Sequence, residues 1–169
     1  MQMVDVAVSL IPFTKDHMKK TFTWVEDPDI QRYFLMRGQP TWEGHKSYID
    51  RILKDSSQCV FAIIYGDLHC GNCGLKNIVS GKESELWIYI GDVSLRGRGI
   101  GQLAVGLLVQ KGFELFHLEM IYVHFGDFNV AARHLYERMG FGQVPLREST
   151  DGPWVNRTCK IVRMELEKS

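Results

Sequence analysis

The stretch Ser94-Leu95-Arg96-Gly97-Arg98-Gly99-Ile100-Gly101 decides the fold, because it joins an apolar strand to a long helix. Residues 86–90 before it are typical of a buried strand, and residues 102–116 after it have the length and composition of a helix. A strand, a glycine-rich turn and a helix in this order present free backbone N–H groups to phosphate. The glycines let oxygens approach the main chain, and Arg96 and Arg98 add positive charge suited to phosphate.

The turn matches neither of two widespread phosphate-binding patterns. Walker A requires a Gly-Lys-Ser/Thr sequence, which does not follow the turn. A dinucleotide fingerprint that starts at Gly97 would need its third glycine at Gln102, whereas the third glycine is Gly101. The alternative interpretation is a tight strand-to-helix connection, with glycines for packing and arginines for solubility.

The composition predicts one globular domain that spans residues 1–169. Lysine plus arginine equals aspartate plus glutamate, at 20 each, which argues against nucleic-acid binding as the main role. No apolar segment reaches the ~18 residues that a membrane span needs. The N-terminus lacks the basic start and apolar core of a signal peptide. We therefore expect a cytoplasmic protein without a nucleic-acid or membrane partner.

The cysteine pattern Cys70-Gly-Asn-Cys73, with His69 beside it, raises the question of a metal or redox site. A structural zinc needs four ligands, and no second pair lies at a suitable spacing. The segment also does not open a helix, as a thioredoxin motif would. We expect no metal, and we favour a hairpin turn that happens to carry two thiols.

Hydrophobic periodicity predicts a mixed α+β protein. We expect strands at residues 4–10, 59–65, 73–79, 85–91, 120–125 and 160–167, and helices at residues 14–25, 102–116 and 129–139, with a helical turn at 30–36 and a further helix opening at Pro40 and Thr41. The near-continuous apolar content of residues 85–91 predicts a central strand that is covered on both faces. Together these elements predict a sheet with helices on both faces.

Two motifs resemble the signatures of the GNAT family of N-acetyltransferases. Arg96-x-x-Gly99-x-Gly101 has the spacing of the family's acyl-CoA loop. Residues 129–141, N-V-A-A-R-H-L-Y-E-R-M-G-F, are similar to the second signature, Asn-x-x-Ala-x-x-x-Tyr-x-x-x-Gly-Phe. The order of the predicted elements also resembles the family over nearly the whole chain. The resemblance implies a GNAT-like α+β fold with a mixed, mostly antiparallel central sheet flanked by helices on both faces.

The resemblance also implies acetyl-CoA as the co-substrate. The backbone of residues 97–101 would hold the pyrophosphate at the helix N-terminus. The strand end at residues 91–95 would splay from its neighbour and bind the pantetheine, while its N–H groups near Asp92 and Val93 polarise the thioester carbonyl. Asn129 would bind the pantetheine from the other side. The implied coenzyme-binding residues are Asp92, Val93, Leu95, Arg96, Gly97, Arg98, Gly99, Ile100, Gly101, Asn129 and Ala132.

For the chemistry, the resemblance implies that Tyr136 protonates the leaving thiolate as a general acid. The alternative is a helix aromatic that fills the core. An attacking amine must be neutral, so a base or a water chain must take its proton. The candidate bases are Glu85, His124 and Glu83, and the sequence leaves the choice among them open.

The acceptor site is expected in residues 24–48, which are rich in aromatic side chains. We name Trp24, Phe34 and Trp42 as candidate substrate-binding residues. The pattern D-P-D-I-Q-R-Y-F followed by P-T-W-E-G-H resembles the ribosomal-protein-acetylase branch of the family. We expect a small amine, with a nucleotide-linked amino sugar as the first specific candidate. The alternatives are a peptide or ribosomal-protein N-terminus, a polyamine, and a non-catalytic acyl-CoA sensor. Exposed strand edges near the C-terminus favour a homodimer.

Overall fold

The computed structural model describes residues 6–36, 38–147 and 159–169, and this part of the chain forms seven strands and five α-helices. In chain order these are β1 (Val8–Pro12), α1 (Met18–Val25), α2 (Pro28–Tyr33), α3 (Trp42–Lys54), β2 (Cys59–Tyr65), β3 (Leu68–Val79), β4 (Glu83–Ile90), α4 (Ile100–Leu115), β5 (Met120–Gly126), α5 (Val130–Arg138), β6 (Gly142–Val144) and β7 (Ile161–Glu167). No helix in these ranges is long and apolar enough to cross a membrane.

The strands form one sheet in the order β1-β2-β3-β4-β5-β7-β6. The pairing of β4 with β5 is parallel, and the other five pairings are antiparallel. This arrangement confirms the predicted mixed, mostly antiparallel sheet. The parallel pairing runs only from Glu83 opposite Met120 to Glu85 opposite Tyr122, whereas β4 stays paired with β3 as far as Ile90. The two strands therefore diverge after Glu85 and leave a gap in the middle of the sheet.

Each face of the sheet is covered by its own apolar cluster. The larger cluster contains Phe61 together with the α4 residues Ala104, Val105 and Leu108. The smaller cluster joins Ile49 and Ile52 of α3 to Val60. Since neighbouring strand residues point to opposite faces, Val60 and Phe61 place the two clusters on opposite sides of the sheet. Helices on both faces are therefore confirmed.

Several predicted boundaries differ from the structure. Strand β3 begins at Leu68, so Cys70 and Cys73 lie inside a strand and the interpretation as a hairpin turn is wrong. The helical turn expected at residues 30–36 is α2, which begins at Pro28, where the missing N–H costs nothing, and ends at Tyr33. The strand predicted at residues 4–10 begins at Val8 and extends to Pro12, and positions 4–5 lie outside the described residues. The short strand β6 was not predicted.

Candidate active site

The glycine-rich turn has the backbone geometry of an anion site. Gly97 and Gly99 have φ angles of +74° and +80°, a conformation that favours glycine, and a β-carbon on either would meet no atom within 4 Å. The first hydrogen bond of α4 runs from the Leu103 N–H to the Gly99 carbonyl at 3.2 Å. The N–H groups of residues 100–102 therefore precede the helical ladder and are available at the positive end of the helix dipole.

The larger apolar cluster holds the turn in place from beneath. The side chains of Leu95 and Ile100 are buried in this cluster, so they anchor the turn. Val93 is 64% exposed. Ile100 and Leu95 thus fix the position of the turn's backbone.

The end of β4 differs from the expectation for residues 91–95. The N–H groups of Gly91 and Asp92 both donate to the carbonyl of Cys70, at 2.8 and 3.1 Å. Residues Val93–Leu95 form a single 3-10 turn, and the Asp92 carboxylate accepts from the Ser94 N–H at 3.0 Å. The Asp92 N–H is therefore already engaged with β3, and the carbonyl-polarising role expected near Asp92 and Val93 stays a prediction.

The free strand edge lies earlier, in the part of β4 that follows Glu85. Backbone groups in an antiparallel pair alternate between facing the partner strand and facing away from it. Gly91 donates towards β3, whereas the Ile90 carbonyl accepts from the Arg96 Nε at 2.8 Å. By the same alternation, Ile88 and Ile90 turn their peptide groups towards the gap between β4 and β5.

A cleft of about 920 Å³ fills this gap and continues beneath α2 and α3. It is lined by residues of the two signatures, Gly97, Gly99, Gly101, Asn129 and Ala132. The lining also includes Glu85, His124 and Tyr136, and the aromatic residues Tyr33, Phe34, Tyr48, Trp87 and Tyr89. The cleft therefore joins the turn, the three candidate catalytic residues and an aromatic wall.

Glu85 and His124, which the sequence offered as separate candidates, are in direct contact. The His124 Nδ1 lies 2.9 Å from the Glu85 Oε1, and both side chains are almost fully buried. The Asn77 amide donates to the Glu85 Oε2 at 3.2 Å, and the Lys76 Nζ lies 3.7 Å from Oε1. Glu83 lies apart from the cleft lining, near Arg147 and Arg163 at 3.7 and 3.8 Å.

Tyr136 lines the cleft from α5 and is 6% exposed. Its ring stacks on Phe125 at 5.9 Å and contacts Phe141 at 5.3 Å. Burial, together with the negative charge of Glu85, raises the pKa of the Tyr136 phenol above its ordinary value. The residue is therefore both a packed core aromatic and a neutral O–H donor that faces the cleft.

Asn129 begins α5 and contributes to both the helix and the cleft. Its Oδ1 accepts from the Ala132 N–H at 3.1 Å and so caps the helix. Because the oxygen is used in this way, the side-chain NH₂ is the group that can donate to a ligand amide.

The side chains of Arg96 and Arg98 point in different directions. The Arg96 Nε donates to the Ile90 carbonyl at 2.8 Å, and its Nη2 lies 3.7 Å from the Asp27 Oδ2. Arg98 is exposed on the same turn. The positive charge beside the turn that remains directed outwards is therefore that of Arg98.

Only one of the three predicted acceptor residues lies on the cleft. Phe34 lines it, whereas the Trp24 ring covers Gly91, where a β-carbon would overlap the ring. Trp42 packs edge-on against Phe22 at 5.4 Å. Neither tryptophan is part of the described lining.

Sequence reasoning missed two aromatic residues of the acceptor half, Trp87 and Tyr89. Their rings stack at 6.1 Å, and Phe34 stands perpendicular to them at 6.5 and 5.2 Å. A β-carbon on Gly74 would lie 2.8 Å from the Trp87 ring, so this glycine makes room for the indole. The sequence signal that could have identified them is the alternation of side chains along β4, which puts residues 85, 87 and 89 on one face.

The cysteine pair does not form a reactive centre. Cys70 and Cys73 are fully buried, and burial raises the pKa of both thiols. Within the described ranges, no group of three or more His, Cys, Asp or Glu residues could hold a metal ion.

Comparisons with known proteins agree with this geometry. Residues 8–142 match the family described as Acetyltransferase (GNAT) domain. The N-acetyltransferase 9-like protein of Nematostella vectensis is 21% identical over 158 residues, which cover 81% of this chain and 75% of that relative. A related N-acetyltransferase 9-like protein of Caenorhabditis briggsae is 24% identical over 151 residues, covering 80% of this chain and 74% of the relative.

Solved structures share the fold. Spermidine N-acetyltransferase from Vibrio cholerae, in complex with CoA and spermine, superposes with a TM-score of 0.82 at 17% identity and covers 95% of each chain. Campylobacter jejuni N-acetyltransferase PseH, in complex with acetyl coenzyme A, gives a TM-score of 0.71 at 17% identity, covering 96% of this chain and 100% of the other. The chain therefore belongs to the acetyltransferase (GNAT) family and is an acetyl-CoA-dependent N-acetyltransferase.

Proposed function

We propose that this enzyme acetylates the primary amine of a small acceptor, with a nucleotide-linked amino sugar as the first candidate. We place it in the ribosomal-protein-acetylase-like branch of the family, as one domain over residues 1–169. The observation that carries the proposal is the continuous cleft, in which the aromatic wall lies next to the Glu85–His124 pair. A cytoplasmic location and a homodimer stay predictions.

The residues at the coenzyme end fit acetyl-CoA, which supplies an activated acetyl thioester. The N–H groups at the start of α4 would hold its pyrophosphate, with the Arg98 charge beside them. The peptide group of Ile88 and the N–H of Ile90, which face the gap, would pair with the pantetheine as an added strand does. The Asn129 NH₂ would donate to the pantetheine from α5.

His124 is the better base of the two residues in contact. If its Nδ1–H donates to Glu85, the imidazole is held as the neutral tautomer that a general base requires. The Glu85 carboxylate then stabilises the imidazolium that forms, as in other His–carboxylate pairs. Tyr136 donates its proton to the departing thiolate as the C–S bond breaks and the amide C–N bond forms.

The charges of the cleft favour an acceptor without further positive charge. Among the described lining residues, Lys76, Arg96 and Arg138 are cationic, whereas Asp29 and Glu85 are acidic. A polyamine keeps positive charges after the reacting amine is neutralised, and this lining, in which Lys76 faces Glu85 and Arg96 faces Asp27, would offer those charges little net attraction. The faces of Trp87 and Tyr89 instead suit a ring, such as a sugar or a base.

An acceptor panel tests the proposal. Purified enzyme is incubated with acetyl-CoA and, separately, a UDP-linked amino sugar, spermidine and a peptide with a ribosomal-protein N-terminus, with thiol release as the readout and mass spectrometry to locate the acetyl group. We expect acetylation of the amino sugar with a kcat/KM at least about tenfold above that for spermidine. Acetylation of the peptide α-amine with none of the sugar would replace the proposed acceptor by the peptide class.

A further inference from the structure

The arginine of the first signature is turned away from the turn that it precedes. The Arg96 Nε donates to the Ile90 carbonyl at 2.8 Å. Its Nη2 is buried, has no hydrogen-bond partner among the described residues, and faces the Asp27 Oδ2 at 3.7 Å. The guanidinium therefore points towards the turn between α1 and α2, and not towards the start of α4.

Asp27 connects this guanidinium to the aromatic wall. Its Oδ1 accepts from the Asp29 N–H at 2.8 Å and caps α2, while its Oδ2 is the atom nearest Arg96. Helix α2 and the residue after it bring Tyr33 and Phe34 to the cleft. The Asp27 carboxylate thus fixes the start of α2 and joins this helix to Arg96.

A second contact holds the same turn on the same end of β4. The Trp24 ring lies over Gly91 so closely that a β-carbon there would overlap it. Gly91 directly follows Ile90, whose carbonyl accepts from Arg96. The end of α1 is therefore held on the end of β4 by the Trp24 contact, and the α1–α2 turn that follows is held by the ionic contact between Asp27 and Arg96.

We propose that Arg96 is a positioning residue that holds α2, and with it the aromatic wall, against the glycine-rich turn. We also propose that Arg98 supplies the charge for the coenzyme phosphates. The inference rests on the proposed function, because it takes residues 97–101 as the coenzyme site. Since Arg96 immediately precedes that turn, it joins the coenzyme-binding part of the cleft to the part that binds the amine.

Three variants separate the two roles of the arginines. In Arg96→Gln, coenzyme A affinity measured by calorimetry stays within about 1.5-fold, whereas Arg98→Gln weakens it about fivefold. Hydrogen–deuterium exchange at residues 26–34 becomes about tenfold faster in Arg96→Gln and is unchanged in Arg98→Gln. Asp27→Asn is the matched control: asparagine still caps α2, but it removes the charge that faces Arg96, so it reproduces the faster exchange.

Kinetics provide the readout that a general structural defect would not give. With a UDP-linked amino sugar as acceptor, Arg96→Gln raises KM about tenfold and changes kcat less than about threefold. Arg96→Lys keeps the charge but cannot make both contacts, so it restores KM only in part. Equal losses of coenzyme A affinity in both glutamine variants, or unchanged exchange at residues 26–34 in Arg96→Gln, would overturn the proposal.

The exchange experiment needs neither coenzyme nor acceptor, so it separates this inference from the proposed function. Wild-type protein that does not bind coenzyme A would overturn the assignment of residues 97–101. Even then, faster exchange in Arg96→Gln would establish that Arg96 holds α2 through Asp27. Unchanged exchange, with normal coenzyme A binding, would overturn only the positioning role of Arg96.

Discussion

At the scale of single residues, the carboxylate of Glu85 has three polar neighbours that fix its position. His124, Asn77 and Lys76 approach its two oxygens at 2.9, 3.2 and 3.7 Å. A buried carboxylate held in this way keeps the imidazole ring in one orientation, which is what a general base requires. Under the proposed function, proton transfer would depend on the pair and not on either residue alone.

We therefore expect replacement of His124 to lower kcat more than replacement of Glu85. We expect His124→Gln to lower kcat by about 10²–10⁴-fold, because the proton acceptor is lost, and Glu85→Gln to lower it by a smaller factor. Steady-state thiol release measures both, and calorimetry with coenzyme A serves as the control for folding. If Glu85→Gln had much the larger effect, Glu85 itself would be the base.

Tyr136→Phe distinguishes an enzyme from an acyl-CoA sensor. The variant keeps the ring that packs on Phe125 and Phe141 and loses only the proton donor, so kcat falls by about 10²–10⁴-fold while coenzyme A affinity persists. Since the pKa of Tyr136 is raised above its ordinary 10.0, the acid form persists to higher pH. The wild-type pH–rate profile should show no alkaline loss below about pH 10. A wild-type-like rate in Tyr136→Phe would assign the protonation to another group.

The thiols of Cys70 and Cys73 lead to a different expectation. Because burial raises the pKa of both, neither forms the thiolate that reacts with alkylating reagents. Iodoacetamide treatment of the folded enzyme at pH 7.5 (about one unit below an unperturbed thiol) should leave both residues unmodified in peptide mass spectra. Loss of activity together with modification of Cys70 or Cys73 would reopen the redox interpretation.

At the scale of elements, local patterns predicted some boundaries well. Strand β2 spans Cys59–Tyr65 as expected, because its residues are apolar and rich in branched and aromatic side chains. Thr41 caps α3 through its side-chain oxygen at 3.1 Å from the Gly44 N–H. The end of β4 could not be predicted, because the Cys70 carbonyl on another strand takes the N–H groups of Gly91 and Asp92.

Gly91 shows how such a non-local contact controls an element. In Gly91→Ala, the new β-carbon would overlap the Trp24 ring, so the α1–α2 turn must move away from β4. We expect a loss of about 1–3 kcal/mol in the free energy of unfolding, measured by denaturant titration. Gly142→Ala is the control, because a β-carbon there meets no atom within 4 Å, and it should change stability by less than about 0.5 kcal/mol. Equal stabilities for the two variants would contradict the packing.

At the scale of the whole molecule, the formal net charge is zero, whereas the described lining of the cleft has three cationic and two acidic side chains. The two signatures predict residues that line this cleft, since helix starts and glycine turns are local features. The aromatic lining depends on which side chains of α2, α3 and β4 meet, so the sequence points to Trp24 and Trp42, which lie outside the described lining, and not to Trp87 and Tyr89, which are part of it. Aromatic content alone does not tell a wall residue from a packed one.

A change in the cleft charge should shift acceptor preference. Arg138→Glu replaces an exposed lining cation, so kcat/KM for spermidine should rise about three- to fivefold, in line with a surface charge effect of up to ~1 kcal/mol. Arg133→Glu is the control, since Arg133 lies on the same helix but contacts Gln143 and lies outside the described lining. Equal gains in both variants would show a general charge effect and not one of the cleft.

Under the proposed function, the divergence of β4 from β5 would let one short segment of β4 recognise two substrates by different means. Its peptide groups, which every amino acid carries, would face the coenzyme, whereas its alternate side chains, Trp87 and Tyr89, would face the amine. Substitutions at those two positions can therefore change which amine is accepted while the main-chain contacts to the coenzyme persist. A single inserted residue would be far more damaging, because it would reverse the two faces of the strand and move the aromatic rings into the opposite core.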